Sequence, residues 1–252
     1  MKDLRAHIIR IEQAEKNTGI KISTPQVLST NSENPKSYLI NAKLINGELH
    51  EVTIPTPTDA GAATGFCLSL LSNLLQNRNG TAIWCQHNSI IDAGEIYPPA
   101  LLQWKIMPDQ LIVLKLQRDK DVLWTMEEAL RSQKPTAIIG EVAHANLTAT
   151  RRLQIAAHQN NLPVLMLRPG WKGTYNSAAS KRWRIKTRKS QPRGLAKELN
   201  EPGNPNWQVE LYRCRGGAPG TWQMEWQNET NNLTLASPSL DRSSEPQQTT
   251  IT

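Results

Sequence analysis

One loop in this chain has the position of a phosphate-handling site. It runs Thr56-Pro57-Thr58-Asp59-Ala60-Gly61-Ala62-Ala63 and lies between a predicted strand over 49–55 and a predicted helix over 62–76. In the pattern G-x-x-x-x-G-K-[ST], backbone N–H groups cradle the phosphates, the Lys reaches the β/γ oxygens and the hydroxyl holds Mg²⁺. Here Gly61 marks the turn before the helix, Ala62 stands where the Lys belongs and Ala63 where the Ser/Thr belongs. Thr56 opens the loop, and Asp59 puts a negative charge where a phosphate would sit. Phosphoryl transfer depends on positioning and charge neutralisation, so a loop without both groups is expected to shape a fold and to hold no nucleotide.

Other chemistries find less support. His50, His87, His144 and His158 are scattered without H-E-x-x-H spacing, so no metal site is expected. Cys67, Cys85 and Cys214 form no C-x-x-C pair; the first two sit in apolar runs and are expected in the core. Cys85 and His87 fall on one side of a strand end, but no orienting carboxylate accompanies them. Glu141, at the end of a short apolar strand, has the position of an Mg²⁺-organising acid, although an isolated acid there is more often solvated or capping a helix. No catalytic residue and no cofactor is expected.

Charge is the stronger signal. The chain carries 29 basic and 22 acidic residues, a net charge of +7. Arg168, Lys172, Lys181, Arg182, Arg184, Lys186, Arg188, Lys189 and Arg193 follow one another with no acid between them, leaving the rest of the chain at −2. Trp171, Tyr175 and Trp183 are interleaved. Cations for phosphates and aromatic faces for bases are the ingredients of single-strand binding. An acidic protein surface fits the same cations, and both partners stay open at this point. Alternation puts Trp183 on the buried side of its strand, where it is expected to pack in the core rather than to stack bases.

These groups need elements to hold them. Leu4, Ile8 and Ile11 give residues 2–16 an amphipathic helical pattern, followed by a polar linker to residue 37; that helix is a candidate partner contact. From 38 to 227 short apolar strands alternate with amphipathic helices, which indicates an α/β domain with a mostly parallel sheet. The predicted strands lie over 49–55, 81–85, 111–116, 136–140, 163–167 and 181–188, and the helices around 62–76, 122–130 and 147–159. Strands over 207–215 and 221–226 flank a Gly216-Gly217-Ala218-Pro219-Gly220 turn and are expected to extend the sheet antiparallel. Residues 228–252 are Asn/Thr/Ser/Gln/Pro-rich and are expected to be a disordered polar tail. No apolar run reaches membrane-spanning length and Met1-Lys2-Asp3 opens no signal peptide, so no membrane contact and a cytoplasmic location are expected.

The order of these pieces resembles the RecA-type core: Leu49-His50-Glu51-Val52 into the loop, Asp92-Ala93-Gly94 after the second strand, Ala137 to Glu141 as the acid-bearing strand, Ser177 to Ile185, and the hairpin from Val209 through Trp226. Within that superfamily Trp124 to Leu130, Leu147 to Leu153, Lys181-Arg182-Trp183-Arg184 and the hairpin beginning at Trp207 resemble the ImuA family, over roughly residues 1–227. That resemblance implies a RecA-like fold with a degenerate P-loop. It also implies a non-catalytic role in SOS-induced, error-prone translesion DNA synthesis. The partners it implies are an ImuB-like inactive Y-family polymerase, RecA and an error-prone replicative polymerase α-subunit. The related scaffold of SulA-like division inhibitors, which bind a tubulin-like division protein, offers the alternative function.

Overall fold

The computed structural model describes residues 47–88, 94–173, 176–227, 230 and 232–235. The amphipathic stretch with Leu4, Ile8 and Ile11, the linker to residue 37, Asp92, Ala93, Tyr175 and residues 236–252 lie outside the described residues. No helix among the described residues is long and apolar enough to cross a membrane.

Nine strands form one sheet in the order β3-β2-β4-β5-β1-β6-β7-β8-β9. Their ranges are β1 Leu49–Ile54, β2 Ala82–His87, β3 Leu111–Leu116, β4 Ile138–Glu141, β5 Val164–Pro169, β6 Lys181–Arg188, β7 Asn206–Cys214, β8 Gly220–Gln227 and β9 Asn232–Leu235. Pairings from β3 across to β6 are parallel, and β6-β7, β7-β8 and β8-β9 are antiparallel. The long helices are α1 Ala60–Asn77, α3 Asp119–Ser132 and α4 Leu147–Asn160; α2 Pro98–Leu101 and α5 Leu195–Glu198 are single turns.

Strict alternation along the strands divides the core into two layers. Val52, Ile54, Trp84, Ile139, Leu165, Leu167, Trp183 and Ile185 pack with Phe66, Cys67, Leu70, Leu71 and Leu74 of α1. Leu49, Cys85, Ile138, Val164 and Met166 face the other way, onto Val122, Met126 and Leu130 of α3 and Leu153 and Ala157 of α4. The expected mixed α/β sheet, mostly parallel and flanked by helices, is therefore observed. Trp183 is 2% exposed, stacks on His50 and packs against Phe66, so it belongs to the core as its alternation implied. Trp207 and Trp226 are buried against Trp104.

Two features differ from the sequence reading. The sheet does not end at residue 227: Leu233 is buried and β9 pairs with β8, because alternation of Leu233 and Leu235 suffices once a sheet edge is there to receive it. Helix α1 begins at Ala60, two residues earlier than its apolar pattern implied, because a tight turn at Pro57–Asp59 feeds directly into it. Gly61 thus lies within the helix, and a Cβ there would meet nothing within 4 Å, so the turn does not depend on it.

Candidate functional site: the loop after β1 and the cleft beside β6

β1 is flanked on both sides by parallel strands, β5 and β6, and its chain continues through the loop into α1. The loop is closed by its own acid. Asp59 is buried; one carboxylate oxygen accepts the Thr56 N–H at 3.2 Å and the Thr56 hydroxyl at 2.7 Å. The other accepts the Thr187 N–H of β6 at 2.8 Å, and the Thr187 hydroxyl donates to the Thr58 carbonyl. Backbone N–H groups that face an anion are thus present, and the anion they hold is an internal carboxylate. Ala62 and Ala63 are buried under the loop and supply no polar group.

Glu141 ends β4 on the α1 side of the sheet and is 3% exposed. Its carboxylate accepts the Trp84 indole N–H at 2.8 Å and the His87 backbone N–H at 3.1 Å. It is neither solvated nor a helix cap, as an isolated strand-end acid was expected to be; it ties β4 to β2. Burial pushes its pKa up to about 7 against the two hydrogen bonds that favour the charged form. Cys85 is pushed up to about 12 by burial and then by Glu141, so it offers no thiolate to His87. Cys67 is raised for the same two reasons. Among the described residues no group of three or more His, Cys, Asp or Glu is placed to hold a metal ion.

The basic segment folds into something that its one-dimensional charge count did not show. On the side of the sheet opposite α1, Glu51 of β1 is buried, with Arg168 of β5 at 3.3 Å on one oxygen and Arg182 of β6 at 2.6 Å on the other. Arg184 pairs with both oxygens of Glu210 on β7, at 3.0 and 2.8 Å. Lys181, at the start of β6, pairs with Glu48, and Arg193 lies 3.4 Å from Glu225. Burial raises the Glu48 pKa, but hydrogen bonds from His50 and Lys181 outweigh it and leave the carboxyl below its ordinary value. Five of the nine cations are therefore matched by carboxylates that lie far away in sequence. Sequence reasoning missed Glu48, Glu51, Glu210 and Tyr212; the available signal was an acid in the middle of an otherwise buried strand, which requires a partner.

Arg182 and Arg184 also stand over the Tyr212 ring, 5.2 and 4.8 Å from its centroid, and the Tyr212 hydroxyl lies 3.1 Å from that of Thr53. These side chains, with Glu51, Arg168, Pro55, Pro169, Gly170 and Gly173, line a cleft of ≈ 290 Å³. Gly170 lets the chain pass close to β1, because a Cβ there would come within 2.9 Å of the Ile54 carbonyl oxygen. Farther along β6 the picture reverses. Lys186, Arg188 and Lys189 are exposed, and none has a carboxylate partner among the described residues. The Lys172 side chain lies outside the description.

An α/β protein with an acid-closed loop at a central parallel strand and a partly neutralised basic face is the class that this geometry defines. No family model matches the chain. It is 30% identical over 220 residues to the protein ImuA of Caulobacter vibrioides, in strains NA1000/CB15N and ATCC 19089/CIP 103742/CB 15, covering 83% of this chain and 86% of each relative. The chain belongs to the ImuA family.

Proposed function

We propose that this chain is a non-catalytic, RecA-like accessory protein of SOS-induced, error-prone translesion DNA synthesis. Family membership supports a role in damage-induced mutagenesis. The RecA-like reading is supported by the central parallel strand running through a loop into a helix, and by the antiparallel extension of the sheet beyond β6. The observation that carries the non-catalytic reading is the Asp59 carboxylate on the backbone N–H groups of Thr56 and Thr187. A nucleotide phosphate entering this degenerate P-loop would have to displace that carboxylate and would find no lysine to compensate it. The protein then acts by assembly, with an ImuB-like inactive Y-family polymerase, RecA and an error-prone replicative polymerase α-subunit. Leu4, Ile8 and Ile11 remain the proposed partner contact.

Deletion of the gene should lower damage-induced mutation frequency in its host, and a copy of the wild-type gene should restore it. A deletion strain that mutates like its parent after DNA damage would sink the pathway. Titration of the purified protein with Mg²⁺-nucleotide should show no saturable binding; saturable binding with turnover would sink the non-catalytic reading.

A further inference from the structure

The open face of β6, β7 and β8 is made of long polar side chains. Alternation sends Trp183 and Ile185 into the core with α1 and leaves Arg182, Arg184, Lys186 and Arg188 on the opposite face. Across the register Arg184 meets Glu210 and Lys186 meets Gln208; on β8, Glu210 meets Thr221 and Gln208 meets Gln223. The cations thus divide into two sets. Toward the cleft, Arg182 and Arg184 are held by carboxylates and by Tyr212. Toward the end of β6, Arg188 donates to the neutral Gln208, and Lys186 and Lys189 reach solvent.

We infer that this face is a path for single-stranded nucleic acid, with Lys186 and Arg188 on consecutive phosphates, the exposed Lys189 taking the next one just past the end of β6, and Trp171 at the cleft end as a stacking surface. Lys186 and Arg188 stand two residues apart on one strand face, about 6.6 Å along the strand, a reach comparable to that between neighbouring phosphates of an extended single strand. Trp171 is 38% exposed and rides on the loop whose Gly170 and Gly173 line the cleft. A protein partner fits this face less well. Protein interfaces centre on apolar anchors with charged groups at the rim, whereas this face places charges and amides at its centre. The Tyr212 ring on this face already lies beneath two guanidinium groups. Phosphates need what is here: cations with no carboxylate partner among the described residues, the buried Glu225 in the row of Arg188 being paired with Arg193, amide side chains such as Gln208 and Gln223 as hydrogen-bond partners, and a nearby ring for a base.

This path deepens the proposed role in translesion synthesis and rests on it, but its test is separate. Fluorescence anisotropy of a labelled oligothymidylate of about fifteen nucleotides, titrated with the full chain, reads affinity directly. Three phosphate contacts predict a slope of log affinity against log salt of about −2, so binding weakens about twentyfold between about 50 and 200 mM salt. Substituting Lys186, Arg188 and Lys189 together by Ala should bring the slope near zero without changing the melting temperature, since all three are exposed. Trp171→Ala should weaken binding about tenfold and leave the slope unchanged. Wild-type affinity in the triple variant would overturn the assignment, as would a flat salt dependence of the parent protein. Equal competition by polyglutamate of matching charge would also overturn it and mark the face as a site for acidic protein. The deletion assay reads the accessory role independently, so failure of the path and failure of the pathway are told apart.

Discussion

Replacing Glu141 by Gln should change how stability depends on pH. The folded protein holds this carboxyl at a pKa of about 7, against an ordinary 4.5, because burial penalises its charge. Between these values the native state keeps a proton that the unfolded chain has released, so stability falls as pH rises. The contribution is fully present below 4.5 and lost once pH passes 7. A difference of about 2.5 pKa units corresponds to about 3 kcal/mol. The substituted amide cannot ionise, yet it has one acceptor oxygen where the carboxylate has two. It keeps either the Trp84 indole or the His87 N–H and leaves the other donor unmatched, a pH-independent cost of about 1–3 kcal/mol. Urea unfolding of parent and Glu141→Gln at about pH 5, 6, 7 and 8 isolates the titration, since the constant cost cancels from the slope. The variant should gain on the parent by about 2.5 kcal/mol from pH 5 to 8, the rest of the effect having been lost already between 4.5 and 5. A constant difference across that range would refute the reasoning, because it would mean that the carboxylate stays ionised throughout.

Glu51→Gln should cost about 3 kcal/mol or more in chemical denaturation, because it removes the charge shared by buried Arg168 and partly buried Arg182. Asp59→Ala should cost about 1–3 kcal/mol, because it strips the Thr56 and Thr187 N–H groups of their acceptor; a melting temperature equal to that of the parent would argue against an acid-closed loop. Gly65→Ala should destabilise α1 by about 1–3 kcal/mol despite the better helix propensity of Ala, because its Cβ would come within 2.7 Å of the rigid Trp207 ring. Thermal unfolding of that variant checks it.

Most elements were legible because their signals are local. β3 falls where its apolar run put it and β6 where alternation put it, and α4 extends one residue beyond its apolar pattern. A helix or strand that must bury one face declares its period over ten or so residues, whatever the rest of the chain does. The place of the loop was legible for a similar reason, since Thr56 to Asp59 stand between a strand and a helix whose patterns are both local. The strand at Asn232–Leu235 escaped notice because four residues with two leucines carry too little pattern without the edge of β8 beside them.

By itself, then, the sequence determined the alternating elements, the mostly parallel sheet, a loop joining a strand to a helix and a run of nine cations. Only the tertiary structure decided what those cations mean. Glu51 lies 117 residues from Arg168 and 131 from Arg182, and Glu210 lies 26 from Arg184, yet strand pairing sets them side by side. Charge compensation depends on distance in space, and register alone converts separation along the chain into contact. It sets Arg168, Lys181, Arg182, Arg184 and Arg193 beside carboxylates and leaves Lys186, Arg188 and Lys189 facing solvent.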